Sequence, residues 1–208
     1  YFDYVTLQDG SVAVVIADVT GHGLGAALVM TAARAFVRAL CGAQDNPGKI
    51  VESVNDLLAH DLEDGNFLSL CLAAFNPASG TLYYTSAGHD PPIIYRPAPD
   101  TFEELESTAP LLGIIAGIEC AVSEPLKLRE GDVLVFMTDG LFECMNSKDE
   151  TFGKERLRNI IKQNCNGSAS AILQALFEAA DGWVGERPPR DDITAVVVKV
   201  DSTFGPAA

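Results

Sequence analysis

Residues 12–27 read VAVVIADVTGHGLGAA, and they join a predicted strand to a predicted helix through a glycine-rich turn. The residues before Asp18 are Val, Ala and Ile, and the β-branched members of this set favour a strand. Residues 26–40 contain neither glycine nor proline and place Arg34 and Arg38 four positions apart among apolar residues. This pattern predicts a largely buried helix that begins just after the turn.

Outward from this stretch, predicted strands and helices occur in separate groups. An Asp-Gly pair at residues 9–10 predicts a hairpin between residues 1–7 and 11–18. A second helix is predicted at residues 49–62, followed by three short strands at 67–75, 80–86 and 92–95 and a Pro-rich acidic loop at 96–110. The remaining predicted elements are a strand at 132–138, two helices at 153–163 and 168–183, and a closing strand at 193–200. Such grouping favours an α+β layered domain over a wound parallel sheet.

The composition predicts a folded, acidic domain. The 208 residues include 14 Lys plus Arg and 29 Asp plus Glu, and the net charge of −15 argues against nucleic acid or an anionic membrane as the main partner. A hydrophobic share of 48% argues against general disorder. We predict a single domain over residues 1–208. Because the chain starts at Tyr1 inside a predicted strand, we interpret it as an N-terminally truncated fragment of a longer protein.

Two features of the sequence bear on its location. The five cysteines are scattered and never spaced as Cys-x-x-Cys, which favours reduced thiols in a cytoplasm. No uninterrupted apolar run reaches the roughly 20 residues that a membrane-spanning helix needs. We therefore expect a cytoplasmic protein that does not cross a membrane.

Three predicted strands carry aspartates at one end. Asp18 ends the first, Asp139 ends the run DVLVFMTD, and Asp191 and Asp192 precede the run ITAVVVKV. If these carboxylates share one cleft, a cation is needed to offset their repulsion, and oxygen ligands suit Mg²⁺ or Mn²⁺ better than zinc. The alternative is that each aspartate is an ordinary turn residue.

The glycine-rich turn allows two interpretations. Residues 21–26, GHGLGA, fit the dinucleotide-binding pattern G-x-G-x-x-A. A second helix follows the first, however, whereas a dinucleotide fold would continue with a strand that ends in an acidic residue. The alternative is a tight turn with close backbone packing, which also accommodates a metal ligand at Asp18.

Four motifs resemble those of one family when they are taken together and in order. They are DVTGHGLGAA at residues 18–27, SAGHDPP at 86–92, TDG at 138–140 together with FGKERL at 152–157, and DDIT at 191–194. This set is similar to that of the bacterial protein phosphatases 2C, in the branch typified by stage II sporulation protein E and the stress-response phosphatases. The resemblance extends over nearly the whole chain.

The resemblance implies a four-layer α/β/β/α sandwich with two central antiparallel sheets. It also implies a site for two Mn²⁺ or Mg²⁺ ions that removes phosphate from phosphoserine or phosphothreonine in a protein. By motif position, Asp18 resembles the ligand shared by both ions, and the carbonyl of Val19 resembles a ligand of one ion. Asp139 and Asp191 resemble ligands of the second ion, with Asp192 as a neighbour.

Two metal ions can activate a water molecule and orient the phosphate, so no nucleophilic side chain is required. Arg187 and Arg190 lie near the predicted ligands in sequence and could supply a positive rim for the phosphate. The alternative, that both are ordinary solvated arginines, stays open. The family usually has a Gly-Gly-Asp before the aromatic pair that corresponds to Tyr1-Phe2, and that aspartate is missing here.

The histidines are weaker candidates for catalysis. His22 could relay a proton beside the metal motif, although other members of the branch have a lysine there. For His89 we expect a structural hydrogen bond, and for His60 a surface position. A serine hydrolase built on Ser86 and His89 is disfavoured because no G-x-S-x-G elbow surrounds Ser86.

Taken together, these patterns predict a metal-dependent serine/threonine protein phosphatase that serves as the output domain of a signalling protein. The resemblance suggests an upstream sensory or receiver domain, as in two-component response regulators, and an anti-sigma-factor antagonist as the phosphorylated substrate. The alternative is a weak or inactive adaptor that keeps the phosphatase fold and binds a regulatory protein. The missing upstream motif favours the adaptor, and the three retained aspartates favour the enzyme.

Overall fold

The computed structural model of the protein describes residues 1–60, 62, 66–187 and 191–201. The chain contains two compact units, each with one antiparallel sheet and its own helices. The first unit comprises Tyr1–His89 and Glu106–Leu128, and the second comprises Asp90–Leu105 and the described chain from Arg129 onward. The single domain over residues 1–208 remains a prediction.

The elements lie in the described residues as follows. In chain order they are β1 (Phe2–Thr6), β2 (Val12–Val19), α1 (Leu24–Cys41), α2 (Pro47–Ala59), β3 (Leu68–Asn76), β4 (Thr81–Ala87), β5 (Ile93–Arg96), β6 (Thr101–Glu104), β7 (Leu126–Lys127), β8 (Val133–Met137), α3 (Gly140–Glu143), α4 (Lys154–Asn164), α5 (Ala169–Val184) and β9 (Ala195–Lys199). The sheets have the strand orders β1-β2-β3-β4-β7 and β6-β5-β8-β9, and all pairs are antiparallel.

In the first unit, alternate residues of the central strands pack on the two helices. Ala13, Val15 and Ala17 of β2 belong to one buried cluster with residues of β3, α1 and α2. Helix α2 begins where Asn46 accepts a hydrogen bond from the amide of Lys49 (3.1 Å) and a proline follows the cap. Period-two strands against period-3.6 helices therefore produce the α+β layering that the sequence predicts.

In the second unit, β8 is buried along its whole length. Val133, Val135 and Met137 share a buried cluster with Leu157 of α4 and Leu176 of α5. The prediction of an α+β fold with two antiparallel sheets and flanking helices is confirmed.

Strand β6 and helix α3 were missed by the sequence patterns. Residues 96–110, predicted as a loop, contain the strand β6, which pairs only with β5 at the sheet edge and therefore tolerates exposed charges. Its Phe102 lies against Tyr95, with ring centroids 4.6 Å apart. The second missed element, α3, is a single turn after Asp139, too short to show helical periodicity.

Helix α1 is, among the described helices, the one long and apolar enough to cross a membrane by composition. This is weak evidence, because a helix that packs on a soluble core passes the same test. Ala33, Val37 and Cys41 of α1 are buried in the first unit, and Arg38 is bound to Asp3 of β1.

The Asp3–Arg38 ion pair joins β1 to α1. The carboxylate of Asp3 is largely buried and accepts two hydrogen bonds from the guanidinium of Arg38, both at 2.6 Å. The hydroxyl of Tyr1 (2.8 Å) and the amide of Tyr4 (2.9 Å) donate to the same group. These hydrogen bonds, chiefly those from Arg38, hold the pKa of Asp3 below its usual range despite its burial.

Replacing Arg38 by Met should lower the stability of the protein at neutral pH, because it leaves the buried carboxylate without its main partner. A lowered folded pKa stabilises the protein above the unfolded value of about 4, and this contribution is lost as pH falls through the folded pKa. Urea unfolding between pH 2 and pH 7 should therefore show a wild-type advantage that shrinks in acid.

Arg34→Met is the matched control for this experiment. The Arg34 Nε lies 3.8 Å from the same carboxylate, one helical turn away, and makes the weaker contact. An equal loss of stability in both variants, or a wild-type advantage that does not change with pH, would contradict the role given to Asp3–Arg38.

Candidate functional site

A cavity of 430 Å³ in the second unit brings two of the predicted ligands together. Asp139 and Asp191 both line it. Its other lining residues combine acidic and apolar side chains with one arginine, namely Gly140, Glu143, Cys144, Met145, Asp181, Val184, Gly185, Arg187 and Ile193.

The pairing of β8 with β9 brings the two aspartates to the same end of a strand pair. The ladder ends at Met137 and Ala195. Beyond it, the amide of Thr138 donates to the carbonyl of Thr194 (3.0 Å), and the amide of Thr194 donates to the Thr138 hydroxyl (3.1 Å). Asp139 leaves this pair of strands where the chain that carries Asp191 enters it, and both residues line the same cavity.

Gly140 is required by a close backbone approach. A Cβ at this position would lie 2.4 Å from the carbonyl oxygen of Asp192, far inside van der Waals contact. The amide of Asp192 in turn donates to the carboxylate of Asp191 (2.8 Å). Asp192 thus acts through its backbone, and it links the Thr-Asp-Gly motif to the Asp-Asp-Ile-Thr motif.

A second link joins the motif at residues 86–92 to the one at residues 152–157. Lys154 Nζ lies 3.7 Å from Asp90 Oδ1 and 4.7 Å from the ring centroid of Phe142. Burial raises the pKa of Asp90, Lys154 opposes this, and the negative charge of Asp139 adds to it. Asp90 thus connects the SAGHDPP motif to the FGKERL motif.

The donor set at the cavity fits a hard cation. Asp139 and Asp191 offer carboxylate oxygens, which Mg²⁺ and Mn²⁺ prefer. Asp18 is exposed near the end of β2 in the first unit, and Val19 ends that strand. Within the described ranges, no three His, Cys, Asp or Glu side chains are grouped so that they could hold a metal ion. The ligand set of Asp18, Val19, Asp139, Asp191 and Asp192 therefore remains a prediction.

The glycines of the turn after β2 are required because the backbone adopts a positive φ there. Gly21 and Gly23 have φ of +85° and +86°, where a side chain is strained. A Cβ on either would meet nothing within 4 Å, so the expectation of close backbone packing was wrong. In addition, β2 pairs with β3 antiparallel after two successive helices, which is not the parallel unit that binds dinucleotides.

The histidines occupy the positions expected of structural residues. His89 is buried, and its Nδ1 lies 2.9 Å from the Ser69 hydroxyl. Ser86 is fully buried, which argues against a nucleophile that attacks a protein substrate. His22 and His60 are exposed.

The two arginines that the sequence suggests as phosphate contacts differ in what the structure describes of them. Arg187 lines the cavity, but its Nη1 donates to the carbonyl of Asn146 and pairs with Asp149 Oδ1 at 2.9 Å. Arg190 lies outside the described residues. Glu143 and Asp181 also line the cavity but were not predicted from the sequence, because only the packing of α3 and α5 brings them there.

A family model described as stage II sporulation protein E (SpoIIE) matches residues 8–201. The chain belongs to the SpoIIE family. Its sequence is 25% identical to phosphoserine phosphatase RsbU of Bacillus subtilis over 96% of this chain, and 27% identical to protein IcfG of Synechocystis over 95%. It spans 58% of RsbU and 35% of IcfG.

Solved structures agree on the SpoIIE family fold. The SiaA-PP2C domain of Pseudomonas aeruginosa superposes with a TM-score of 0.83 at 18% identity, covering 97% of this chain and 80% of that chain. The phosphatase domain of B. subtilis SpoIIE, solved with a fragment of its regulatory domain, gives a TM-score of 0.75 at 20% identity, covering 96% of this chain and 58% of that chain. A Mycobacterium tuberculosis structure of RsbU and RsbW domains gives 0.78 at 25% identity, covering 100% and 57%. This SpoIIE family member therefore has the phosphatase 2C fold.

Gly140→Ala should destabilise the protein by roughly 1–3 kcal/mol, because the added methyl group forces the Asp192 carbonyl away. Gly182→Ala in α5 is the matched control, since a Cβ there meets nothing within 4 Å. That change should be neutral or stabilising by up to about 1 kcal/mol. Denaturant unfolding of both variants measures the difference, and equal stabilities would show that the close approach does not constrain residue 140.

Proposed function

We propose that this chain is a metal-dependent protein phosphatase domain that hydrolyses phosphoserine or phosphothreonine in a regulatory protein. The observation that carries the proposal is the cavity of the second unit, which both Asp139 and Asp191 line. The SpoIIE family membership and the similarity to a protein named phosphoserine phosphatase support it.

In this proposal, Asp18, Asp139 and Asp191 hold two Mn²⁺ or Mg²⁺ ions, with the carbonyl of Val19 as a further ligand. Bound divalent ions would activate water, orient the phosphate and stabilise the leaving oxygen. The contribution of the chain is positional. The backbone of Asp192 orients the carboxylate of Asp191, and the paired strands hold the carboxylates of Asp139 and Asp191 at one cavity.

The protein's net charge of −15 does not prevent it from binding a phosphoprotein. A bound divalent ion is the strongest local charge in such a pocket, and it would reverse the sign of the field that the phosphate meets. The cavity, with Met145, Val184 and Ile193 on its walls, has room for the residues that flank the phosphorylated residue of the substrate.

The regulatory context is part of the proposal. RsbU and RsbW domains occur in one similar structure, and a regulatory-domain fragment accompanies the phosphatase domain of another. The regulatory-domain fragment supports an upstream sensory or receiver domain in the full-length protein. An anti-sigma-factor antagonist as substrate and a cytoplasmic location are further parts of the proposal, and they follow from the family resemblance.

Asp139→Asn, Asp191→Asn and Asp18→Asn should each reduce Mn²⁺-dependent hydrolysis of a phosphoserine peptide on the order of 100-fold or more, because an amide is a poor substitute for an anionic ligand. Release of inorganic phosphate measures the rate. Chelation should abolish the wild-type activity, and added Mn²⁺ should restore it.

Asp45→Asn is the control, since Asp45 is exposed between α1 and α2, outside the four motifs, and should not affect the rate. Wild-type rates in the three aspartate variants would refute the ligand assignment. A wild type that binds Mn²⁺ and phosphoprotein but releases no phosphate would replace the enzyme by the adaptor.

A further inference from the structure

Part of the cavity wall belongs to the start of a loop with a defined internal structure, here called the 144–152 loop. The amide of Asn146 donates to the carbonyl of Glu150 (3.0 Å), and the amide of Phe152 donates to the carbonyl of Cys144 (2.8 Å). The Asn146 side chain accepts hydrogen bonds from two amides of the loop at 2.9 and 3.0 Å. These bonds fix the shape of the loop but not its position on the unit.

Its position is set by side chains at the end of α5. Arg187 donates to the carbonyl of Asn146 and forms an ion pair with Asp149 (2.9 Å). Four residues earlier, within α5, the indole Nε1 of Trp183 donates to the carbonyl of Glu150 (3.0 Å). Backbone carbonyls at both sides of the turn are thus bound to the end of α5 and the residues that follow it.

Arg156 of α4 completes the arrangement. Its Nη1 donates to the carbonyl of Phe152 (2.7 Å), and its guanidinium lies 4.0 Å from the Trp183 ring centroid. We call Arg156, Trp183 and Arg187 the loop clamp.

The loop clamp acts on the wall of the cavity. Cys144 and Met145, at the start of the loop, line the cavity together with Asp139 and Asp191. A displacement of about 1 Å in such a wall is enough to change how a substrate is held. The loop clamp therefore controls a surface next to the proposed phosphatase centre.

We propose that Arg187 is a positioning residue: through Asp149 and Asn146 it holds the 144–152 loop as the wall against which the polypeptide of the phosphoprotein docks. The inference rests on the proposed function, because it concerns the substrate of that site. It gives Arg187 a different role from the phosphate contact expected from the sequence, since its Nη1 is already engaged by the loop.

The two roles predict different kinetics. A wall for the polypeptide matters for a phosphoserine peptide and not for a small ester such as p-nitrophenyl phosphate, whereas a phosphate contact matters for both. Arg187→Ala should therefore raise KM for the peptide about threefold to tenfold, with kcat and the small-ester kinetics little changed.

Asp149→Ala separates the roles further, because it removes the partner of Arg187 in the loop. Its effect on the peptide KM should match that of Arg187→Ala, and the double variant should be no worse than either single one. Lys148→Ala is the matched control. It removes a positive charge from the same exposed loop, and the contact of Lys148 with Asn146 is made by its amide.

A second readout does not depend on catalysis. Trp183 is the only tryptophan of the chain, so its fluorescence reports directly on the loop clamp. Without metal or substrate, Arg187→Ala and Asp149→Ala should both shift the emission to the red and increase quenching by acrylamide. Arg187→Lys should restore the spectrum in part, because it keeps a positive charge for Asp149 but replaces the planar guanidinium by a flexible ammonium group.

The outcomes are distinct. Equal losses on peptide and small ester in Arg187→Ala, with no effect of Asp149→Ala, would make Arg187 a phosphate-binding residue and overturn the inference. An emission spectrum unchanged in both variants would overturn it as well. If the wild type releases no phosphate, the proposed function fails, and the dissociation constant of the peptide with the Trp183 spectra then tests the loop clamp by itself.

Discussion

The antiparallel pairing of β8 with β9 is the constraint on which the candidate site depends. Backbone hydrogen bonds continue past the last ladder pair through Thr138 and Thr194. Two aspartates far apart in sequence, Asp139 and Asp191, thereby line the same cavity. The strand pair is held together by backbone hydrogen bonds and not by flexible side chains, so it is a rigid support for the residues next to it.

The motifs of the second unit form one physical assembly. The carbonyl of Asp192 occupies the space that a side chain at Gly140 would need, and Lys154 reaches the carboxylate of Asp90. A change in one motif therefore disturbs another, which gives a physical reason for these short sequences to occur as a set. In the first unit, Asp3 and Arg38 have a comparable structural role, since they join β1 to α1.

Local patterns predicted most elements but not the ones that depend on partners. The long helices and the apolar strands appeared where periodicity placed them. Strand β6 was missed because its charged sequence TFEE becomes a strand only beside β5, and α3 was missed because one turn has no period. The glycines of the turn after β2 were correctly predicted as a turn, but they are needed for positive φ and not for close packing.

The sequence by itself determined the α+β class and the family, and it predicted which aspartates could be metal ligands, because these inferences depend on periodicity and on motifs that are contiguous in the chain. Only the tertiary structure decided that Asp139 and Asp191 share a cavity, and that Arg187 contacts the 144–152 loop. A guanidinium can pair with any carboxylate or carbonyl within its reach. Which one it meets is set by the packing of α5 against its neighbours, and spacing along the chain does not encode that distance.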